Sequence, residues 1–141
     1  MKTLLPRPPS IKPDTPRRLA ARRKKDVGNA GEEAAKLYLE TLGYSVLGTN
    51  VRVGRGEVDI IAHDPLDDVV VFVEVKSRKR THDDYRPELD LTPRKLRAMT
   101  LAARTWIATH DPDRSYRMDL ICIVAQVVVN HVKELPWITS D

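Results

Sequence analysis

The sequence has one cysteine, Cys122, among 141 residues, a single phenylalanine, and an aromatic share of only 5%. A lone thiol forms no internal bridge, so a disulfide scaffold is excluded and a reducing cytoplasm is the expected setting. The 16.0 kDa chain needs no such staple, because a domain of this size buries roughly two-thirds of its unfolded surface. No apolar run approaches the roughly 18 to 20 residues that span a bilayer. Residues 1–10 carry a leucine pair but no secretory apolar region, and the arginine pairs at 17 and 22 are not followed by one. Neither export nor a membrane partner is expected. His63, His82, His110 and His131 lack ligand spacing and have no cysteine pair to join, which excludes a zinc site of the usual kind. Nucleophile-elbow, Walker and dinucleotide-binding motifs are absent too.

What is present in excess is charge, and it is unevenly placed. The chain is 31% charged with a formal net charge of +4. Residues 1–25 hold nine Lys or Arg against Asp14 alone, whereas the remainder holds 15 basic and 19 acidic residues. Five of the ten prolines (Pro6, Pro8, Pro9, Pro13, Pro16) fall in the same stretch. With few apolar side chains to offset the entropy of ordering it, residues 1–25 read as a disordered basic tail, suited to nucleic acid, an anionic surface or solubility alone. Residues 26–141 read as the folded domain.

Within that domain Ala30, Ala34, Leu37 and Leu42 recur at helical spacing, which predicts a helix over 27–42 stopped by Gly43. Strands are predicted over 44–53, 57–62 and 69–76, with Gly54-Arg55-Gly56 as a turn or bulge and Asp64-Pro65 initiating a hairpin. Residues 77–90 are polar and without period, a predicted loop. A second helix opens on Thr92 as N-cap and Pro93 at its first position, buries Leu96, Met99, Ala103 and Ile107, and stops at Asp111-Pro112. Strands over 116–124 and 126–132 complete the order αβββαββ, a mixed α/β domain without internal repeats.

The run Val-Val-Val-Phe-Val-Glu-Val-Lys, 69–76, carries two charges in an otherwise apolar strand. Alternation puts Phe72, Glu74 and Lys76 on one face, and charges buried there need partners or a cleft. A hairpin centred on 65–68 pairs residues whose numbers sum to 133, so Asp59 faces Glu74 and Glu57 faces Lys76, with Cβ atoms about 5 Å apart. A one-residue slip would send Asp59 among the valines. Two facing carboxylates repel unless a cation lies between them, and hard oxygen ligands suit Mg²⁺ or Mn²⁺. Lys76 beside such an ion can orient a water or neutralise a phosphoryl group, the parts needed for phosphodiester hydrolysis. The competing explanation is an ordinary ion-pair lattice, Glu57 with Lys76 and Asp59 with an arginine.

These residues resemble the PD-(D/E)xK nuclease superfamily and, more closely, the YraN-like bacterial family related to archaeal Holliday junction resolvases. The similarity runs from about 28 to 132 and rests on Gly-Asn-Ala-Gly-Glu-Glu-Ala-Ala (28–35), Gly-Tyr (43–44), Gly-Glu-Val-Asp-Ile-Ile-Ala (56–62), Phe-Val-Glu-Val-Lys-Ser-Arg (72–78) and Arg-Met-Asp (117–119). The resemblance implies a restriction-endonuclease-like core, a mixed central sheet flanked by helices. It puts Asp59 and Glu74 at the metal-ligand positions, Lys76 at the catalytic lysine, and Glu32 as a helix-borne acid completing the metal site. From the residues alone, Glu32 is equally explained as an acid complementing a helix N-terminus, with Glu33 as fallback. Departures are Val58 in place of the proline of the classical motif and Leu135-Pro136-Trp137 near the end.

Lys76, Arg78, Lys79, Arg80, Arg86, Arg94, Lys95, Arg97 and Arg104 face only four acids between 76 and 104, in a domain that is otherwise acidic. Such a cluster beside a metal site favours nucleic acid. Arg78, Lys79, Arg80, Arg94 and Lys95 are the candidate contacts, the last two because a helix N-terminus also binds phosphate. The expected activity is Mg²⁺- or Mn²⁺-dependent DNA cleavage, on branched or flapped structures, in repair or recombination. Rivals are a binding module that keeps the fold without cutting, and an RNA-processing nuclease. Many resolvases of this fold act as dimers, so a homodimer is carried as an expectation, although no dimer seam is legible. Trp106 and Trp137 can stack on bases or pack on the domain. Arg117 and Asp119 share a strand face and are expected to form a structural ion pair, with Cys122 as inert core.

Overall fold

Short turns and β-branched residues make a meander of β1 (Ser45–Val53), β2 (Gly56–Asp64) and β3 (Val69–Arg78). In this computed structural model, residues 15–79 and 91–138 are described. Gly54 takes the left-handed turn after β1 at φ 58°, and Asp68 does the same before β3 at φ 52°. The α2 helix (Pro93–His110) carries the chain across to β4 (Tyr116–Val124), and β5 (Val127–Val132) returns beside it. The sheet order is β1-β2-β3-β4-β5, antiparallel except for the parallel β3–β4 pair that this helical crossover permits. Thr92 caps α2 by accepting the Lys95 N–H at 3.2 Å, with Pro93 following.

One predicted boundary is corrected. The first helix, α1, spans Pro16–Thr41 and not 27–42. Thr15 accepts the Arg18 N–H at 3.3 Å and Pro16 sits in the first turn, so a proline that counted toward disorder is a helix starter. Ala, Arg, Leu and Lys after it are strong helix formers, and α1 runs unbroken through the proposed tail-to-domain boundary at 25/26. The rest of the tail, 1–14, lies outside the described residues, as do 80–90 of the predicted loop. Ser77 and Arg78, placed in that loop by the sequence, belong to β3.

The two helices cover opposite faces of the sheet, giving two cores. Ala35 and Leu39 of α1 pack on Ile60, Val71, Val73 and Ile121. Leu96, Ala103 and Ile107 of α2 pack on Phe72, Met118 and Leu120. This is a five-stranded mixed sheet flanked by helices, the layout of a restriction-endonuclease-like core. No described helix is long and apolar enough to cross a membrane.

Candidate functional site

The predicted hairpin register holds. Ile60 pairs with Val73 and Ile61 with Phe72, both summing to 133. At Asp59 the ladder stops, while β2 stays paired to β1 as far as Gly56 and β3 to β4 as far as Arg78. The sheet therefore opens between β2 and β3 at the point where the acids stand. In place of a ladder bond, the Val75 N–H donates to Asp59 Oδ2 at 2.8 Å. Glu74 is buried, at 6% exposure.

Lys95 reaches this opening from the start of α2, placing Nζ 3.2 Å from Glu74 Oε1, and Lys76 Nζ lies 3.8 Å from the same oxygen. Glu32 approaches from the opposite layer. Gly31 makes that approach possible, since a Cβ there would stand 2.5 Å from the Cβ of Ser77 on β3. Burial pushes the Glu32 carboxyl above its ordinary value, and the charges of Asp59 and Glu57 add to this against a hydrogen bond from Asn50. Asn50 itself holds a left-handed φ of 50°.

Several expectations are revised by this geometry. Among the described residues the ion-pair lattice is not formed: Lys76 pairs with Glu74 and not with Glu57, which is exposed, and Asp59 bonds a backbone amide. Glu32 lies about four turns from the start of α1, so helix-dipole complementation does not account for it. Glu33 is exposed. Arg78, Lys79 and Arg94 are exposed near the opening, whereas Arg80 lies outside the described residues. The Lys95 N–H is taken by Thr92, and the Lys95 side chain pairs with Glu74. The pairing of Lys95 with Glu74 escaped the sequence reading, although a lysine three residues after the N-cap of the helix that follows the Glu74 strand was the available signal. Among the described residues no three Asp, Glu, His or Cys side chains close into a ligand cluster.

The acids are electrostatically costly. Burial and the Asp59 charge push Glu74 up to about 7, against the pull of Lys95 and Lys76. Asp59 is likewise raised, chiefly by burial and opposed by the Val75 N–H and Lys95. A carboxyl whose folded-state pKa exceeds its unfolded value contributes stability that is full below the unfolded value and is lost as pH rises through the folded one. For Glu74 that window runs from 4.5 to about 7. Relative to Glu74→Gln, the wild type should therefore lose about 2 to 3 kcal/mol between pH 5 and pH 8. Urea unfolding of both proteins at the two pH values measures this, and parallel pH profiles would count against the burial of Glu74.

Comparison with known proteins locates this constellation in a family. The profile described as Uncharacterised protein family UPF0102 matches residues 31–123, a span that contains Glu32, Asp59, Glu74, Lys76 and Lys95. A UPF0102 protein of Pelobacter propionicus is 37% identical over 121 residues, covering 85% of this chain and 86% of that protein. One of Geotalea daltonii is 40% identical over 115 residues, covering 78% and 88%. One of Mycobacterium sp. (strain KMS) is 41% identical over 96 residues, covering 67% and 70%.

Proposed function

The chain belongs to the UPF0102 family, and we propose that it is a divalent-metal-dependent endonuclease of the PD-(D/E)xK type that hydrolyses phosphodiester bonds in DNA. The observation that carries this reading is the opening of the β2–β3 ladder at Asp59. It leaves two mutually repelling carboxylates beside two lysine ammonium groups. A structural role would be met by a closed ladder and apolar side chains at lower cost.

The donor set fits Mg²⁺ or Mn²⁺. Asp59 and Glu74 are hard oxygen ligands, and Mg²⁺ is commonly held by one or two carboxylates with substrate oxygens and waters completing the shell, so a third protein ligand is not required. Glu32 is placed to add its charge to the pair. When bound, the ion would polarise the scissile phosphate and lower the pKa of a water. The chain's own residues do the rest. The Val75 N–H fixes the rotamer of Asp59. Lys76 is close enough to Glu74 to hold an attacking water or to meet charge building on the phosphoryl oxygens. Lys95 balances Glu74 in the free protein, and with Arg94 and Arg78 it offers phosphate contacts.

The test is a cleavage panel of single-stranded, duplex, flap and four-way-junction DNA and of RNA, with Mg²⁺ or Mn²⁺, beside an Asp59→Asn control. Wild-type cleavage that disappears in Asp59→Asn is the expected result. Binding without cleavage on every substrate would replace the enzyme by a binding module, and cleavage of RNA alone would move the substrate class.

A further inference from the structure

Both tryptophans and the only phenylalanine of this aromatic-poor chain lie in one row of edge-to-face contacts. The row runs from Trp106 to Phe72 (5.7 Å), from Phe72 to Tyr116 (5.9 Å) and from Tyr116 to Trp137 (4.9 Å). Its last member borders a cavity of about 430 Å³ lined by Arg104, Arg114, Ser115, Tyr116 and Trp137. Trp137 is 42% exposed, although the chain on each side of it is tied down. The Leu135 N–H donates to Met118 O at 2.7 Å, and the Ile138 N–H donates to the Thr100 hydroxyl at 3.2 Å. The segment is thus fixed in a way that leaves a tryptophan partly exposed to solvent.

The cations of the cavity differ. Arg114 is committed to Asp68 at 2.6 Å and Asp111 at 3.0 Å. Arg104 is exposed and has no ion pair with a described residue. A partly exposed indole next to a guanidinium with no ion pair among the described residues suits a flat, anion-bearing ligand: the base stacks and the phosphate meets the arginine.

The position is informative as well. The cavity lies on the same face of the sheet as Glu74, at the other end of α2. From Lys95 to Arg104 is nine helical residues, about 14 Å. From Glu74 back to Val70, the partner of Tyr116, is four strand residues, about 13 Å. Two independent paths agree on a separation of about 13 to 14 Å, a span of a few nucleotides. Arg97 lies exposed between the ends.

We propose that the Trp137–Arg104 cavity is a subsite for an unpaired nucleotide, so that the nucleic acid taken by the Asp59–Glu74 site carries a single-stranded segment alongside α2. This rests on the nuclease reading for the direction of the strand, while the subsite is tested without cleavage. The Trp106→Phe variant keeps Trp137 as the remaining tryptophan. Titrated with a short single-stranded oligothymidylate in metal-free buffer, its emission should be quenched on binding. Trp137→Ala and Arg104→Ala should each weaken single-strand affinity about tenfold and leave duplex affinity near wild type, while Trp137→Tyr retains most of it. Absent quenching, unchanged single-strand affinity in both alanine variants, or equal losses on single strand and duplex would each overturn the subsite. Quenching in a protein that cuts nothing would uphold the subsite and overturn the nuclease reading alone.

Discussion

Replacing Lys76 by alanine is expected to slow DNA cleavage about a hundred- to ten-thousandfold, the range for loss of a group that handles a proton or developing charge in the transition state. Fold and DNA affinity should stay near wild type. Strand alternation puts Lys76 on the face of Glu74, and its side chain is 24% exposed, reachable by a substrate yet held against the acid. Its removal does not strand Glu74 in the core without a cation, because Lys95 lies closer, at 3.2 Å. A purely structural lysine would show the opposite pattern, with lost stability and retained rate. Single-turnover cleavage beside urea unfolding and gel-shift affinity separates the two. Full activity in Lys76→Ala would remove the proposed mechanism.

Much of this site could be read from the chain because its central pair is local. The 64–69 turn and the alternation of Ile60, Ile61, Phe72 and Val73 leave one register that buries apolar side chains, and the observed pairs have it. The opening of the ladder at Asp59 was not legible, since periodicity reports which face a residue takes and not whether the neighbouring strand stays in contact. The start of α1 was misjudged for a different reason. Pro16 is one of five prolines in a basic stretch, and composition averages over the position that makes it a first-turn residue. Lys95 and Glu32 come from different layers, and only the packing of both helices brings them to one end of the sheet. Gly31 shows how: its missing side chain is what lets α1 approach Ser77. The expected Arg117–Asp119 pair is present, but as part of a larger assembly whose members lie up to 93 residues apart.

That assembly yields the second large effect: Arg117→Ala should destabilise the fold by about 3 to 5 kcal/mol, as expected when one partner is removed from a buried ionic network. Arg117 is 6% exposed. Its Nε donates to Asp119 Oδ1 at 3.0 Å, Nη1 to Asp64 Oδ2 at 2.9 Å and Nη2 to the Tyr44 hydroxyl at 2.8 Å. Tyr44 in turn donates to Asp64 at 3.1 Å. Asp119, fully buried, also accepts from the His131 ring at 2.8 Å and the Glu134 N–H at 3.2 Å, while the other ring nitrogen of His131 lies 3.0 Å from the Tyr38 hydroxyl on α1. One guanidinium thus joins β2 to β4, and through Asp119 to β5 and α1, at the far end of the strands from the candidate site. Without it Asp64 and Asp119 remain as buried charges. Burial alone would raise the Asp64 carboxyl, yet hydrogen bonds from Arg117, the Leu66 N–H and Tyr44 carry it below 3.8. In the wild type that depressed group contributes stability above its unfolded pKa and loses it as pH falls through the folded value. In Arg117→Ala the burial of Asp64 is no longer opposed by the guanidinium, so its carboxyl rises and the variant gains stability as it protonates. The penalty should therefore shrink between pH 7 and pH 4, and Arg117→Lys, whose donors all sit on one nitrogen and cannot span acceptors on Asp64, Asp67, Asp119 and Tyr44 together, should recover only part of it. Urea unfolding across that pH range tests the argument, and a penalty that stays constant with pH would show that Arg117 acts through packing and not through its charge.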